Sequence, residues 1–380
     1  MHYVFPDLAP NVTTLDTKLF KFRVGFAMIQ DYTFISQDDA SRSQVGRQGG
    51  LGDLRSGRII LTGAIKFKKP WTYYAAYDYH EHRKSSSDDI FDVFDYFLTI
   101  PLWKEARISI GKQKEPFIYE MDGDAAFLPQ QERILNPFFA SRNRGIKYSD
   151  NFLKDRVALS VGIFNDWKTQ KVKFSDGGTQ VSGRFTGLPV ARKDGREYLH
   201  LGVAARYLGA SSTGKLRFKG RPESNVIDNY TDTGDIVAGH ATELAFEALY
   251  TNGPYSVLSE YVHAWVSSTA AQNPSFSGFY VIGSYVLTGE NRPYDRKVAF
   301  ARRIIPKSRW GAVEIVGRYS HVDLDDKLAK GGTLNKLYFG ANWWASVQWH
   351  LGIGYGFSDL NRFNTIGHTN ALLLRLQWIY

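Results

Sequence analysis

The densest run of chemically capable side chains is Lys215–Leu216–Arg217–Phe218–Lys219–Gly220–Arg221. In an extended strand, strict alternation puts its four cations on one face, about 6.6 Å apart at a rise of ~3.3 Å per residue. A ladder of that kind can hand a phosphate or another oxyanion from one site to the next, with arginine offering forked N–H donors. The competing reading is a solvated, charged edge. Residues 209–215, GASSTGK, nearly spell a phosphate-cradling nucleotide loop. That motif needs Ser or Thr next and a helix to follow; Leu216 and a strand pattern stand there instead, so nucleotide binding is set aside.

Two longer segments concentrate charge. Residues 114–141 carry Lys114 and Arg133, and Arg142 and Arg144 follow directly. Against these stand Glu115, Glu120, Asp122, Asp124 and Glu132. A segment of this length can fold into a cavity and constrict it, with acids outnumbering bases. The facing of Arg142 and Arg144 is ambiguous, because Ile146 and Tyr148 share their parity. Residues 289–308 hold a second basic cluster, Arg292, Arg296, Lys297, Arg302 and Arg303, together with Lys307 and opposed by Glu290 and Asp295. It reads equally well as an anion relay and as a contact with lipid headgroups or cell-wall polymers.

Catalytic and cofactor chemistry finds little support. There are no cysteines, which excludes disulfides, thiolate metal sites and cysteine nucleophiles. His80 and His82 flank Glu81 without a further ligand, and Asp122–Asp124 and Asp323–Asp326 read as solvated loop acids. No G-x-S-x-G nucleophile motif occurs, so the chain is expected to be neither an enzyme nor a carrier of a cofactor or metal. Lys+Arg 47 against Asp+Glu 38 leaves a net charge of +9, which favours anionic partners modestly and is too diffuse to indicate nucleic acid.

The elements that must position these residues are strands. Aromatics make up 15% of 380 residues, with 35 Gly and 3 Met, a mixture that favours strands and tight turns. Apolar residues alternate with polar or small ones in units of about ten residues. Leu372, Leu374, Leu376, Trp378 and Tyr380 share one face; Leu373, Arg375, Gln377 and Ile379 share the other. The alternation predicts strands at 18–34, 53–67, 71–82, 91–100, 105–113, 142–149, 155–165, 197–208, 213–221, 240–250, 255–268, 277–288, 309–321, 334–344, 347–358 and 369–380. Connections after even strands are short, Gly209–Ser212 among them, and those after odd strands, such as 114–141, 166–196 and 222–239, are mostly long. The long connection 289–308 is an exception on the short-turn side. Sixteen strands, two unlike faces and this asymmetry predict an all-β, transmembrane antiparallel β-barrel with short periplasmic turns and long extracellular loops. A short N-terminal segment, 1–17, precedes a single barrel over 18–380.

Several segments resemble the phosphate-selective porin O/P family. The most specific is Tyr280–Lys297, YVIGSYVLTGENRPYDRK, with weaker likeness in Gly111–Phe117, Arg144–Ser149, Arg318–Leu324 and Gly340–Trp343. The resemblance implies a sixteen-stranded barrel of the bacterial outer membrane, a homotrimer in contact with membrane lipid, inward-folded loops and basic residues that guide small anions of the phosphate class by passive diffusion. Pore-lining candidates are then Lys114, Arg133, Arg142, Arg144, Arg206, Lys215, Arg217, Lys219, Arg221 and Arg318. The wider set facing inward adds Lys21, Arg23, Arg58, Lys66, Arg107, Arg156 and Arg375, against Asp78, Asp95, Glu243, Glu247, Glu260 and Glu314. Thirteen inward bases (Lys21, Arg23, Arg58, Lys66, Arg107, Arg156, Arg206, Lys215, Arg217, Lys219, Arg221, Arg318, Arg375) less six acids leaves an excess of seven positive charges. The rival readings are a weakly selective general diffusion porin, a structural scaffold for partner proteins and a barrel hydrolase.

Overall fold

The computed structural model describes residues 14–79, 91–168, 170–222 and 224–380; His80 and His82 lie outside them. One sheet closes on itself through sixteen antiparallel staves. They are β1 (Phe20–Gln37), β2 (Leu51–Ile65), β3 (Trp71–Tyr79), β4 (Phe91–Pro101), β5 (Arg107–Gln113), β6 (Asn143–Phe152), β7 (Val157–Asn165), β8 (Thr179–Arg192), β9 (Glu197–Gly209), β10 (His240–Asn252), β11 (Tyr255–Ser267), β12 (Ser275–Val286), β13 (Ala312–Asp326), β14 (Ala329–Trp344), β15 (Trp349–Arg362) and β16 (Thr365–Ile379). Closure joins the first stave to the last, from Ala27 opposite Ile379 to Gln37 opposite Thr369. A short strand, Thr14–Asp16, continues the line of β16 along the remaining edge of β1, so the seam leaves little unpaired backbone.

Alternation along each stave separates two environments. Ile59, Ile163, Phe185, Phe246, Phe339 and Ile353 are exposed on the outside, although they are large and apolar. Such a belt is stable only against lipid. Near the end that holds the termini it finishes in aromatic rings: Trp378 stacks with Tyr380 at 6.0 Å and lies 6.2 Å from Trp349. The inward residues alternate with these and are the buried ones, among them Glu243, Glu247, Glu260, Glu314, Arg206, Arg318 and Arg375.

Two assignments along the chain are corrected. Residues 213–221 are not a stave. Lys215–Leu216 and Lys219–Gly220 pair with Ile236–Val237 and Thr231–Asp232, forming a small hairpin within the connection 210–239. The missing stave is β8, Thr179–Arg192, inside a stretch that alternation assigns to a loop. Its outward positions include Gly183, Gly187 and Pro189, which erase the apolar stripe, while Gln180, Ser182, Arg184 and Thr186 face inward. The tight turn on that side is therefore Lys193–Arg196, with Asp194 and Gly195 at φ 51° and 85°, rather than Gly209–Ser212.

Glycine shapes the inner wall at β15. The aromatic ring of Tyr338 on β14 lies across Gly354, where a Cβ would come within 2.3 Å of its hydroxyl. Tyr338 is buried and has no open space to retreat into. Gly354→Val is expected to destabilise the barrel by about 1–3 kcal/mol through overpacking. The check is the temperature at which the folded, fast-migrating band is lost on semi-native gels; an unchanged temperature would contradict this packing.

Candidate anion passage

The connection 114–142 leaves β5 and turns into the lumen instead of standing above it. It carries a short helix, α1 (Tyr119–Asp122), and buries Phe117, Ile118, Tyr119, Met121, Phe127, Leu135 and Phe138. The wall fixes it mainly by ion pairs to its acids. Arg206 on β9 meets Glu115 at 2.8 Å, Arg318 on β13 meets Glu120 at 2.8 Å, and Arg184 on β8 meets Asp122 at 2.8 Å. Glu132 is held by Arg55 on β2 and by Arg375 on β16, the latter at 3.2 Å. Glu260 on β11 adds an inverse clamp, accepting from the amides of Tyr119 (2.6 Å) and Glu120 (2.9 Å) at the start of the helix. Backbone carbonyls complete the attachment: Arg375 donates to Gln131 and Asn342 to Pro129.

Two other segments fill the lumen beside it. The connection 210–239 buries Leu216, Phe218, Ile227 and Tyr230, with Phe218 packed 6.3 Å from Phe138 and 5.1 Å from Phe276. The connection 287–311 enters from the opposite end, where Phe300 stacks on Tyr119 at 4.3 Å. Arg292 within it bonds Glu314 at 2.6 Å and the Phe127 carbonyl, and Tyr294 bonds His200 at 2.7 Å. One side of the interior is thus a packed apolar core.

Open space lies along the other side, over β2 to β8. A narrow cavity of about 60 Å³ is lined by Arg58, Lys114, Arg142, Lys147 and Arg302, by Asp95, Asp122 and Asp124, and by Tyr74, Phe97, Phe127, Val298 and Phe300. Its arginines are neutralised: Arg58 by Asp78 (2.6 Å), Arg142 by Asp95 (3.1 Å) and Arg302 by Asp295 (2.6 Å). Its lysines differ. Lys114 donates to the carbonyls of Asp122 and Gly123, and Lys147 approaches the Lys114 carbonyl at 3.4 Å. Neither is ion-paired to a carboxylate among the described residues. Burial pushes the Lys114 ammonium down to about 7, and the neighbouring charge of Arg142 acts in the same direction.

The candidates named from sequence fall into distinct places. Lys114 and Arg142 line the passage, and Arg133 is tied to the Glu120 and Gly123 carbonyls within the constricting segment. Arg206 and Arg318 face inward but are closed into ion pairs. Arg144 points the other way: its guanidinium bonds the Tyr96 hydroxyl at 2.7 Å and lies over Trp167 on the outer face, because odd residues of β6 face the lumen. Parity therefore selects Lys147, whose neighbours Ile146 and Tyr148 mask it in the sequence. The four cations of 215–221 keep their common face, yet they decorate the hairpin rather than a pore wall; Lys215 and Arg217 pair with Asp235 and Asp232. The basic cluster of 287–311 is divided. Arg292 and Arg303 are buried within the barrel, whereas Arg296 and Lys297 are exposed and Arg302 reaches the narrow cavity, so the segment is an internal plug rather than a projecting periplasmic turn.

A closed sixteen-stave barrel with a lipid-facing belt and a loop-constricted aqueous route defines an outer-membrane porin. The chain belongs to the family described as phosphate-selective porin O and P, whose model matches residues 22–380. It is 22% identical over 409 residues to Porin O of Pseudomonas aeruginosa, covering 97% of this chain and 90% of that protein. Among solved structures it resembles the outer-membrane channel DcaP of Acinetobacter baumannii (TM-score 0.61, 12% identity, 97% of this chain and 100% of that one). It also resembles an anion-selective porin from Comamonas acidovorans (TM-score 0.59, 10% identity, 95% and 100%).

Breaking a buried ion pair from one side costs about 3–5 kcal/mol because the remaining charge is stranded. Glu120→Ala would remove the 2.8 Å ion pair to Arg318 and free the amides of Ile134 and Leu135, from which Glu120 accepts at 3.3 and 3.0 Å. The expected result is a loosened constriction, seen in single-channel records as larger and noisier conductance; quiet, wild-type openings would contradict it.

Proposed function

We propose that this porin passes small anions by passive diffusion along the β2–β8 side, with selectivity set at Lys114 and Lys147. The observation that carries the reading is that these two lysines face the narrow cavity without a carboxylate partner, while Arg58, Arg142 and Arg302 beside them are ion-paired. Exposed charges are screened within about 8 Å at physiological salt, so cations at the narrowest point act most strongly on a passing ion. An anion exchanges part of its hydration for contact with a lysine that no carboxylate among the described residues neutralises, and leaves again because no converging ring of donors holds it. No covalent step is involved. The printed anion selectivity of the Comamonas porin and the phosphate selectivity in the family's description support the sign of the preference.

The family's description names phosphate, and the route here offers phosphate or polyphosphate few free forked donors. The exposed cations Lys215, Arg217 and Lys219 would act at the outer mouth as a funnel for anions. Arg296 and Lys297 would do so at the opposite mouth. The account extends to a homotrimer embedded in outer-membrane lipid, in line with the trimeric form described for Vibrio cholerae OmpT, and to no role for nucleic acid.

The experiment is a planar bilayer recording under a KCl gradient. A reversal potential on the chloride side supports the proposal, and a zero or potassium-side value rejects it. Because the Lys114 ammonium titrates near 7, it is charged below that pH and neutral above it. Anion preference should therefore rise as pH falls from about 8.5 to 5.5, and Lys114→Met should remove most of that dependence. A pH response that survives the substitution would assign it elsewhere.

A further inference from the structure

The narrow cavity opens, towards the end holding the termini, into a wider chamber of about 290 Å³. Tyr74, Phe97, Lys147 and Val298 line both spaces, so the two adjoin. The chamber has two unlike walls. One is apolar and aromatic: Tyr74 and Phe97 stack nearly parallel, with centroids 5.3 Å apart and planes 15° apart, and Val298 adjoins them. The other carries Lys104, Arg107, Lys147 and Lys297, against the single acid Glu105 in the lining, which pairs with Lys297 at 3.3 Å.

Several polar atoms between these walls are already engaged with one another. Thr99 and Ser109 share a hydrogen bond of 2.8 Å, Ser149 and Ser160 one of 2.9 Å, and the Tyr73 hydroxyl donates to the Lys21 carbonyl. Arg107 donates to neutral acceptors, the Asn151 side chain at 3.0 Å and the carbonyls of Glu105 and Lys297. Its fork is thus occupied without a carboxylate among these acceptors. Ammonium donors from Lys104 and Lys147, beside an arginine fork already occupied, suit an anion with one small charged group better than one that needs several converging donors. Inorganic phosphate, which demands several donors, is poorly served. An apolar ring against the Tyr74–Phe97 wall with its charge towards the lysines matches both walls together.

Resting on the anion-passage reading above, we infer that this chamber is a binding station for small aromatic carboxylates. The ring lies along Tyr74, Phe97 and Val298, and the carboxylate faces Lys147 and Arg107.

The test uses the intact protein in a planar bilayer, with sodium benzoate, sodium acetate or inorganic phosphate added on the side of the termini. Benzoate should reduce the chloride current at concentrations about tenfold below acetate, which carries the same charge without the ring, and below phosphate. Phe97→Ala should bring benzoate towards acetate, the effect being read as the benzoate-to-acetate ratio within that variant. Equal block by benzoate and acetate, or stronger block by phosphate, in a channel that still prefers chloride would overturn this inference and leave the anion reading standing. Loss of chloride preference in the wild type would remove both. The wild-type comparison of benzoate with acetate decides the matter even where the variant does not assemble.

Discussion

The interior depends on the pairing of wall arginines with the acids of one inward-folded segment. Glu115, Glu120, Asp122 and Glu132 on the connection 114–142 meet Arg206, Arg318, Arg184 and the Arg55–Arg375 pair, which rise from staves on different sides of the barrel. Buried pairs of this kind add little net stability over an apolar equivalent, but their rupture is costly, so they act as position markers. They hold the segment across the lumen at several points at once. The apolar packing of Phe138 with Phe218, and of Tyr119 with Phe300, then becomes possible because the backbone already lies in reach.

This constraint changes the meaning of the charge count. An excess of inward lysine and arginine suggests a strongly positive, water-filled pore, and an acid-rich constriction suggests the opposite. Both features belong to one arrangement, in which most of the opposing charges cancel in pairs. What remains along the route without a carboxylate partner among the described residues is small and local: Lys114 and Lys147 at the narrows, and Lys104 and Arg107 below them. On the proposed reading, selectivity is separated from architecture, with arginine mainly positioning and lysine mainly facing the solute.

Most of the barrel was legible in the sequence because the period of two is enforced by lipid outside and a different environment inside. The final stave, with Leu372, Leu374, Leu376 and Trp378 on one face, states that rule without ambiguity. It failed where lipid-facing positions are glycine or proline, as in β8, and where a loop hairpin alternates for its own reasons, as in Lys215–Arg221. The site was less legible. Arg144 and Lys147 have opposite facings that only the register of β6 against β5 resolves, through Lys112 opposite Arg144. The partner of each acid in 114–142 lies tens to hundreds of residues away, and no local pattern records such a pairing. The inward course of 287–311 was hidden likewise, since Arg292 also bonds the Phe127 carbonyl, a partner 165 residues away.

The central claim is that ion preference resides in the unpaired cations at the narrows and not in the basic run that looks most conspicuous in the chain. The most direct measurement is the reversal potential in a KCl gradient for Lys147→Gln beside the double variant Arg217→Gln, Lys219→Gln. The account predicts a clear loss of chloride preference in the first and a value close to wild type in the second. The reverse pattern would contradict it, placing selectivity on the hairpin at the mouth.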